Sequence, residues 1–406
     1  MGGKRPASRG LAILLPANER DFWRPIASTF EREHPGTAVD LVEGPTSTDL
    51  RENLITAALL ARDDTYDLVY LDVTWTPRFA AAGWLLPLDD VCPADEARLF
   101  LRTALQAGRY RGHLYRVPVR TDVGLLYYRR DLLEAAGLAP PRTFDELVRT
   151  ARALQAPPDR WGFLWQGSQY EGLVCTYLEV LRGYGGSWID PKTLEVGLDR
   201  REATLALEFL CRCRAEGGIS PPGVTTYKED ESRRLFQDGR AVFLRNWPYV
   251  WNLVQRKGSG VAGRVGVQPV VTVSGEPGAG TLGGWGLGIS RYSCHRGLAR
   301  EFLRHATTLE SQRALCAPTG FAPARRDAYR DAALLRANPF LPELAQILEG
   351  AAPRPAIPAY PQASDILQRH LSAALTGRRS AAAELADAAR ETRLLLADAA
   401  RGGDQP

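Results

Sequence analysis

The sequence predicts an α/β protein built as two lobes that the chain visits more than once. Three observations carry this. From Leu11 onward, short apolar strands alternate with amphipathic helices, the rhythm of an α/β body. At 406 residues the chain is too long for one ordinary core. A second α/β-like body opens near residue 125 and is left through a glycine-rich segment at residues 274–280.

Residues 11–15 read as a strand, and a helix follows in which Phe22, Ile26 and Phe30 recur at four-residue spacing before Pro35-Gly36 stops it. Residues 37–43 alternate as a second strand, 50–62 are helical, and 66–72 form a nearly continuous apolar strand ending on Asp72. These pieces predict a mostly parallel sheet. Two further strands are expected at 112–119 and 124–129, with Arg120, Thr121 and Asp122 as the join between them and a candidate hinge. Thr143 followed by Glu146 is a capping box, opening a helix with apolar positions Phe144, Leu147, Val148 and Leu154. Pro157-Pro158 and Pro221-Pro222 punctuate the second body; residues 284–290 read as a strand, 295–307 as a helix and 380–400 as a long helix whose end after Arg401 should fray. The resulting division is 10–121 in the first lobe, 122–275 in the second, 276–325 in the first again, and 326–401 in the second.

Charge is balanced, with 51 basic and 47 acidic residues well interspersed, so nothing asks for a nucleic-acid partner. No run of 18 apolar residues is present, so the sequence predicts no membrane span. Met1 to Ser8 lacks the apolar stretch of a signal peptide. The six cysteines include no CxxC, and Cys211-x-Cys213 falls in an apolar helical stretch, which favours buried thiols over metal ligands; an even count leaves pairing open. The five histidines are scattered, so no metal or cofactor is expected. Residues 258–263 match GxGxxG but follow the charged segment Gln255-Arg256-Lys257 rather than a strand, which argues against a dinucleotide site.

Two aromatic segments stand out: residues 244–251 (LRNWPYVW) and Gly283-Gly284-Trp285-Gly286. Trp247 precedes a proline and Trp285 follows two glycines, which predicts strand ends or turns, where an indole face can receive the C–H face of a sugar ring or a cationic group; the alternative is packing beneath a loop. Asp72 and Glu19 each follow a strand, and ligands of open α/β sheets bind beyond strand carboxyl ends. With Asp122 they form a set of carboxylates suited to accept sugar hydroxyls, and Arg51, Arg120 and Arg354 are the complementary donors. Helix capping or surface charge is the competing role for Asp72 and Glu19.

RNWPYVW and TLGGWGLGIS resemble the pattern of extracellular solute-binding proteins of sugar ABC importers, in the trehalose/maltose-binding branch, and the resemblance runs from Leu11 to about Leu396. It implies a two-lobed periplasmic-binding-protein fold (type II), a ligand cleft between lobes, an exported and lipid-anchored protein, and a membrane permease as partner; a monomer is expected because a single ligand-closing unit needs no partner subunit to build its site. It also implies sugar contacts from Glu19, Thr46, Arg51 and Asp72 in the first lobe, and from Asp122, Trp247, Gly284, Trp285 and Arg354 across the cleft. Two positions depart from the pattern. Arg120 stands where a tyrosine is usual, and Phe321 lies where tryptophan or asparagine appears, which puts the particular sugar in question. Residues 166–172 are also family-like and polar enough to line a cleft, but Glu171 and Tyr170 read rather as residues that cap the following helix or orient a neighbouring tryptophan.

The implied function is capture of an α-linked disaccharide, such as trehalose, maltose or sucrose, by hinge closure. A glucosylated osmolyte such as glucosylglycerol is the alternative within binding proteins. A glycosidase or glycoside phosphorylase is the alternative among enzymes, since paired carboxylates beside tryptophans also describe a glycosidase cleft.

Overall fold

A computed structural model describes residues 10–402. The expectation about Met1 to Ser8 lies outside these residues; the last helix runs to Gly402, and the expected fraying of residues 403–406 lies outside them too. Among the described residues twelve strands occur in chain order: β1 (Gly10–Pro16), β2 (Ala38–Gly44), β3 (Leu68–Asp72), β4 (Arg109–Tyr110), β5 (His113–Leu114), β6 (Val117–Val123), β7 (Leu125–Arg129), β8 (Trp161–Leu164), β9 (Ala241–Asn246), β10 (Val265–Gln268), β11 (Leu282–Ile289) and β12 (Ala322–Pro323). The chain forms two compact units, one running to Asp122 and including Gly283–Glu349, the other comprising Val123–Leu282 and the chain from Gly350 onward.

The first unit holds a six-stranded sheet in the order β12-β6-β11-β3-β1-β2, with β4 and β5 as a separate hairpin. β2 and β3 flank β1 in parallel, as the alternation of strand and helix requires. The sheet is not mostly parallel, however: β11 runs antiparallel to β3 and β12 antiparallel to β6. The reason is topological, because β11 enters this sheet from the second unit rather than through a local strand-helix-strand crossover. Every residue from Leu11 to Leu15 is buried, and the helix Arg20–Glu33 lays Trp23, Ile26 and Phe30 onto the sheet, with Phe30 edge-on to Phe302 at 5.1 Å.

As secondary structure the Arg120-Thr121-Asp122 join is a correction, although the chain does pass from one unit to the other after Asp122. These residues continue β6, which runs unbroken to Val123, and the break falls at Gly124.

In the second unit a four-stranded sheet in the order β10-β7-β9-β8 is backed by helices. The capping box forms as expected: Thr143 accepts from the Glu146 amide at 3.1 Å, and Glu146 returns to the Thr143 amide at 3.2 Å. The helix Glu171–Gly183 is buried along nearly its whole length and shares a core with the helices Arg201–Arg214, Tyr360–Leu375 and Ala381–Gly402. A helix buried on nearly all sides needs such cover. All six cysteines are free thiols, so their even number does not reflect pairing. Residues 258–263 form turns that lead into β10 rather than a helix, which removes the phosphate-binding reading of their glycines. Among the described residues no helix is long and apolar enough to cross a membrane.

Candidate functional site

Strand geometry assembles the site in the first unit. Residues two apart on a strand share a face, so β3 presents Tyr70 beside Asp72 and β6 presents Arg120 beside Asp122. The β11–β3 register sets Trp285 opposite Asp72. Gly284, at φ +128°, lets β11 pass close to β6, since a Cβ there would lie 2.7 Å from the Arg120 carbonyl.

Arg120 is the hub. Its Nη2 donates to Glu19 Oε1 at 2.9 Å, its Nη1 to Asp122 Oδ2 at 2.8 Å and its Nε to the Tyr70 hydroxyl at 3.1 Å. Tyr70 in turn donates to Glu19 Oε2 at 3.1 Å, so both Glu19 oxygens are engaged. Glu19 occupies the N-cap position of its helix yet makes no side-chain cap, which leaves its carboxylate for Arg120. The Phe321 ring centre lies 3.9 Å from Arg120 Cζ, a cation–π distance. Burial disfavours the Arg120 cation, but Glu19, Tyr70 and Asp122 outweigh it and hold its pKa above the ordinary value. Burial pushes Asp122 up to about 6, against the lowering influence of Arg120. Asp122 Oδ1 is buried and accepts no hydrogen bond from the protein.

Arg51, also buried, donates through Nη1 to the carbonyls of Pro45 and Thr46 at 2.8 Å each, and its Cζ lies 4.7 Å from the Trp285 ring centre. Thr46 itself is exposed. Asp72 Oδ1 accepts from the Thr74 amide and hydroxyl at 3.0 and 2.8 Å, a local turn that fixes the carboxylate. Trp285 is 8% exposed, inside β11, with Tyr70 at 5.0 Å, Trp75 edge-on at 5.4 Å and Arg120 at 5.9 Å. It is therefore neither at a strand end nor in a turn; the strand runs through Gly283 and Gly284, and the Val73 amide donates to the Gly284 carbonyl at 3.2 Å.

The second unit carries Trp247 and Arg354. Trp247 is half-buried on the turn after β9, as expected, and the turn is fixed by the Tyr127 hydroxyl donating to the Trp247 carbonyl at 2.8 Å. Arg245 Cζ lies 4.2 Å from the Trp247 ring, and Trp247 Nε1 donates to Glu229 Oε1 at 3.3 Å. Arg354 donates to Glu171 Oε1 at 2.7 Å, and Glu171 also accepts from the Tyr360 and Ser364 hydroxyls. Glu171 thus orients an arginine rather than a tryptophan.

A match to the bacterial extracellular solute-binding protein family spans residues 16–313. The chain belongs to that family. A relative from Deinococcus radiodurans, named "Probable ABC transporter-binding protein", is 33% identical over 84% of this chain and 82% of its own length. The mannitol-binding protein of Pseudomonas aeruginosa is 26% identical over 93% of this chain and 91% of its own length. Among solved structures, the maltose-bound MalE3 protein of T. maritima superposes with a TM-score of 0.89 at 36% identity, covering 95% of this chain and 99% of that one. The fold is the two-lobed one of these proteins. This extracellular solute-binding protein binds its solute without transforming it; the glycosidase alternative falls away.

Eight of the residues singled out in sequence, Glu19, Thr46, Arg51, Asp72, Arg120, Asp122, Gly284 and Trp285, lie in the first unit. The resemblance set Asp122, Gly284 and Trp285 across the cleft, while the expected division had residues 276–325 in the first lobe; β6 and β11 carry all three into the first sheet. Sequence reasoning left out Tyr70, Glu179, Glu229 and Arg245. Tyr70 was legible as the residue two before Asp72 on an apolar strand, and Arg245 as the residue two before Trp247. Glu179 and Glu229, distant in sequence from what they touch, left no such trace.

Proposed function

We propose that this solute-binding protein is the substrate-binding component of an ABC sugar transporter, acting outside the cytoplasmic membrane as a lipid-anchored monomer that delivers its ligand to permease subunits. It captures a neutral sugar by hinge closure, with an α-linked disaccharide as the first candidate. Asp122 carries this reading: its buried Oδ1 has no protein donor, so it suits a ligand hydroxyl. The likeness to a maltose-bound protein over nearly the whole chain supports the disaccharide. In this reading Glu19, Thr46, Arg51, Asp72, Arg120, Asp122, Gly284 and Trp285 form one ligand surface, and Trp247 and Arg354 the other.

A polyol or glucosylated osmolyte is the second reading, and Arg120 favours it. Arg120 engages one oxygen each of Glu19 and Asp122, and Tyr70 takes the other Glu19 oxygen, which together remove acceptors that a larger sugar would use. Titration calorimetry against maltose, trehalose, sucrose, glucosylglycerol and mannitol separates the two. One-to-one binding of a disaccharide establishes the first reading; binding only of mannitol or glucosylglycerol establishes the second; no binding by any of them refutes both.

A further inference from the structure

One face of the helix Glu171–Gly183 meets every segment through which the chain enters or leaves the second unit. Glu171, Cys175, Glu179 and Arg182 follow one another at four-, four- and three-residue steps and so share that face. The Thr281 amide donates to Glu179 Oε1 at 3.1 Å, the Thr281 hydroxyl donates to the Cys175 carbonyl at 3.1 Å, and Arg182 donates to Thr281 Oγ1 at 3.2 Å and to the Pro353 carbonyl at 2.8 Å. Backbone bonds complete the junction: Gly124 donates to Thr281 at 3.2 Å, Leu282 to Ala352 at 2.8 Å, and Ala352 to Gly280 at 2.9 Å. Only glycine fits at 124, because a Cβ there would lie 1.9 Å from Glu179 Oε1 and 2.6 Å from Arg245 Nη2. The chain crosses after Asp122, Leu282 and Glu349, so each crossing is tied to this helix within a few residues.

The same side chains reach the ligand surface of the second unit. Glu179 grips Arg245 through both oxygens, with Nε at 2.7 Å from Oε2, and Arg245 lies 4.2 Å from the Trp247 ring. Glu171 holds Arg354, which also reaches the Leu282 carbonyl at 3.5 Å. The Glu179–Arg245 pair is 3% exposed on both sides, and a buried pair cannot be loosened at one end without leaving the other charge unmatched. Displacement at Trp247 therefore has a stiff route to Thr281.

We propose that Glu179 and Arg182 are positioning residues that couple the Trp247 and Arg354 ligand surface to the three crossing segments. The assignment of Trp247 and Arg354 to the ligand rests on the proposed function; the mechanical coupling does not.

The test is hydrogen exchange read by mass spectrometry on the ligand-free full chain, comparing the wild type with Glu179→Gln and Arg182→Gln. Arg182 touches Thr281 and Pro353 but not the Trp247 turn. Coupling predicts that Arg182→Gln speeds exchange roughly tenfold, as local opening energies of this order allow, both at peptides holding Thr281 and Ala352 and at the turn amides of Val250 and Trp251. Glu179→Gln should do the same from the other end, with the helix Ala381–Gly402 unchanged as the control for general loosening. Exchange that rises only around Thr281 and Pro353 in Arg182→Gln, leaving the Trp247 turn at wild-type rates, overturns the proposal even if Glu179→Gln does not fold. Because no sugar is present, failure of the titrations above leaves this result standing on its own.

Discussion

Replacing Arg120 by methionine keeps an unbranched apolar stem and removes the cation that Glu19, Asp122 and Tyr70 share. Three hydrogen bonds of 2.8 to 3.1 Å and the ring contact with Phe321 at 3.9 Å disappear together. Removing one partner of a buried ion pair costs about 3 to 5 kcal/mol, because the other charge stays buried and unmatched. Here two carboxylates are stranded, so the upper part of that range is expected at pH 8. The cost also depends on pH. Asp122 already has a folded pKa of about 6 against an ordinary 3.8. A raised carboxylate pKa means that the folded state holds the proton more tightly than the unfolded one, so stability is gained as pH falls through the folded value and lost as it rises. Arg120 is the one influence that lowers the Asp122 pKa, so its loss raises that pKa further. Each further unit narrows the gap between variant and wild type at low pH by about 1.4 kcal/mol. Urea unfolding followed by circular dichroism at pH 8 and pH 5 reads both numbers. A loss below about 1 kcal/mol at pH 8, the range of an exposed pair, or the same loss at pH 5, would refute the view of Arg120 as a buried counter-ion.

Trp247→Ala should weaken binding of the sugar identified by calorimetry by about 1 to 3 kcal/mol, the usual cost of truncating an aromatic contact; unchanged affinity would remove Trp247 from the site. If a ligand hydroxyl donates to Asp122, binding favours the carboxylate, and affinity should fall as pH drops below about 6, by up to about tenfold per pH unit; titrations between pH 7.5 and 5 check this, and Asp122→Asn should abolish the slope. Gly284→Ala meets both a positive φ of 128° and the Arg120 carbonyl at 2.7 Å, and should cost at least about 1 to 3 kcal/mol in urea unfolding.

Much of the first unit was legible because its signals are local. β1, the helix Arg20–Glu33 and β3 follow from alternation and from four-residue spacing, and the Thr143–Glu146 box from a four-residue motif. The positions of Asp72 at a strand end and Trp247 on a turn are equally local, since a strand must stop somewhere and Pro248 bars continuation. The candidate residues were legible as types, acceptors and donors beside aromatics, from their order and the family resemblance.

What the sequence left open is set by pairing across long separations. The return of residues 276–325 to the first lobe was expected, but nothing near residue 285 says that β11 lies antiparallel to β3 and so sets Trp285 beside Asp72 and buries it. Nothing near residue 120 says that Arg120 reaches back across about a hundred positions to Glu19. The sequence by itself determined the α/β class, the elements, and which side chains have the chemistry to meet a sugar. Only the tertiary structure decided that Arg120 engages Glu19 and Asp122, and that one helix in the second unit lies against residues next to every crossing. Secondary structure is written in neighbours a few residues apart, whereas a buried charge chooses its partner by distance in space, which the chain's order does not record.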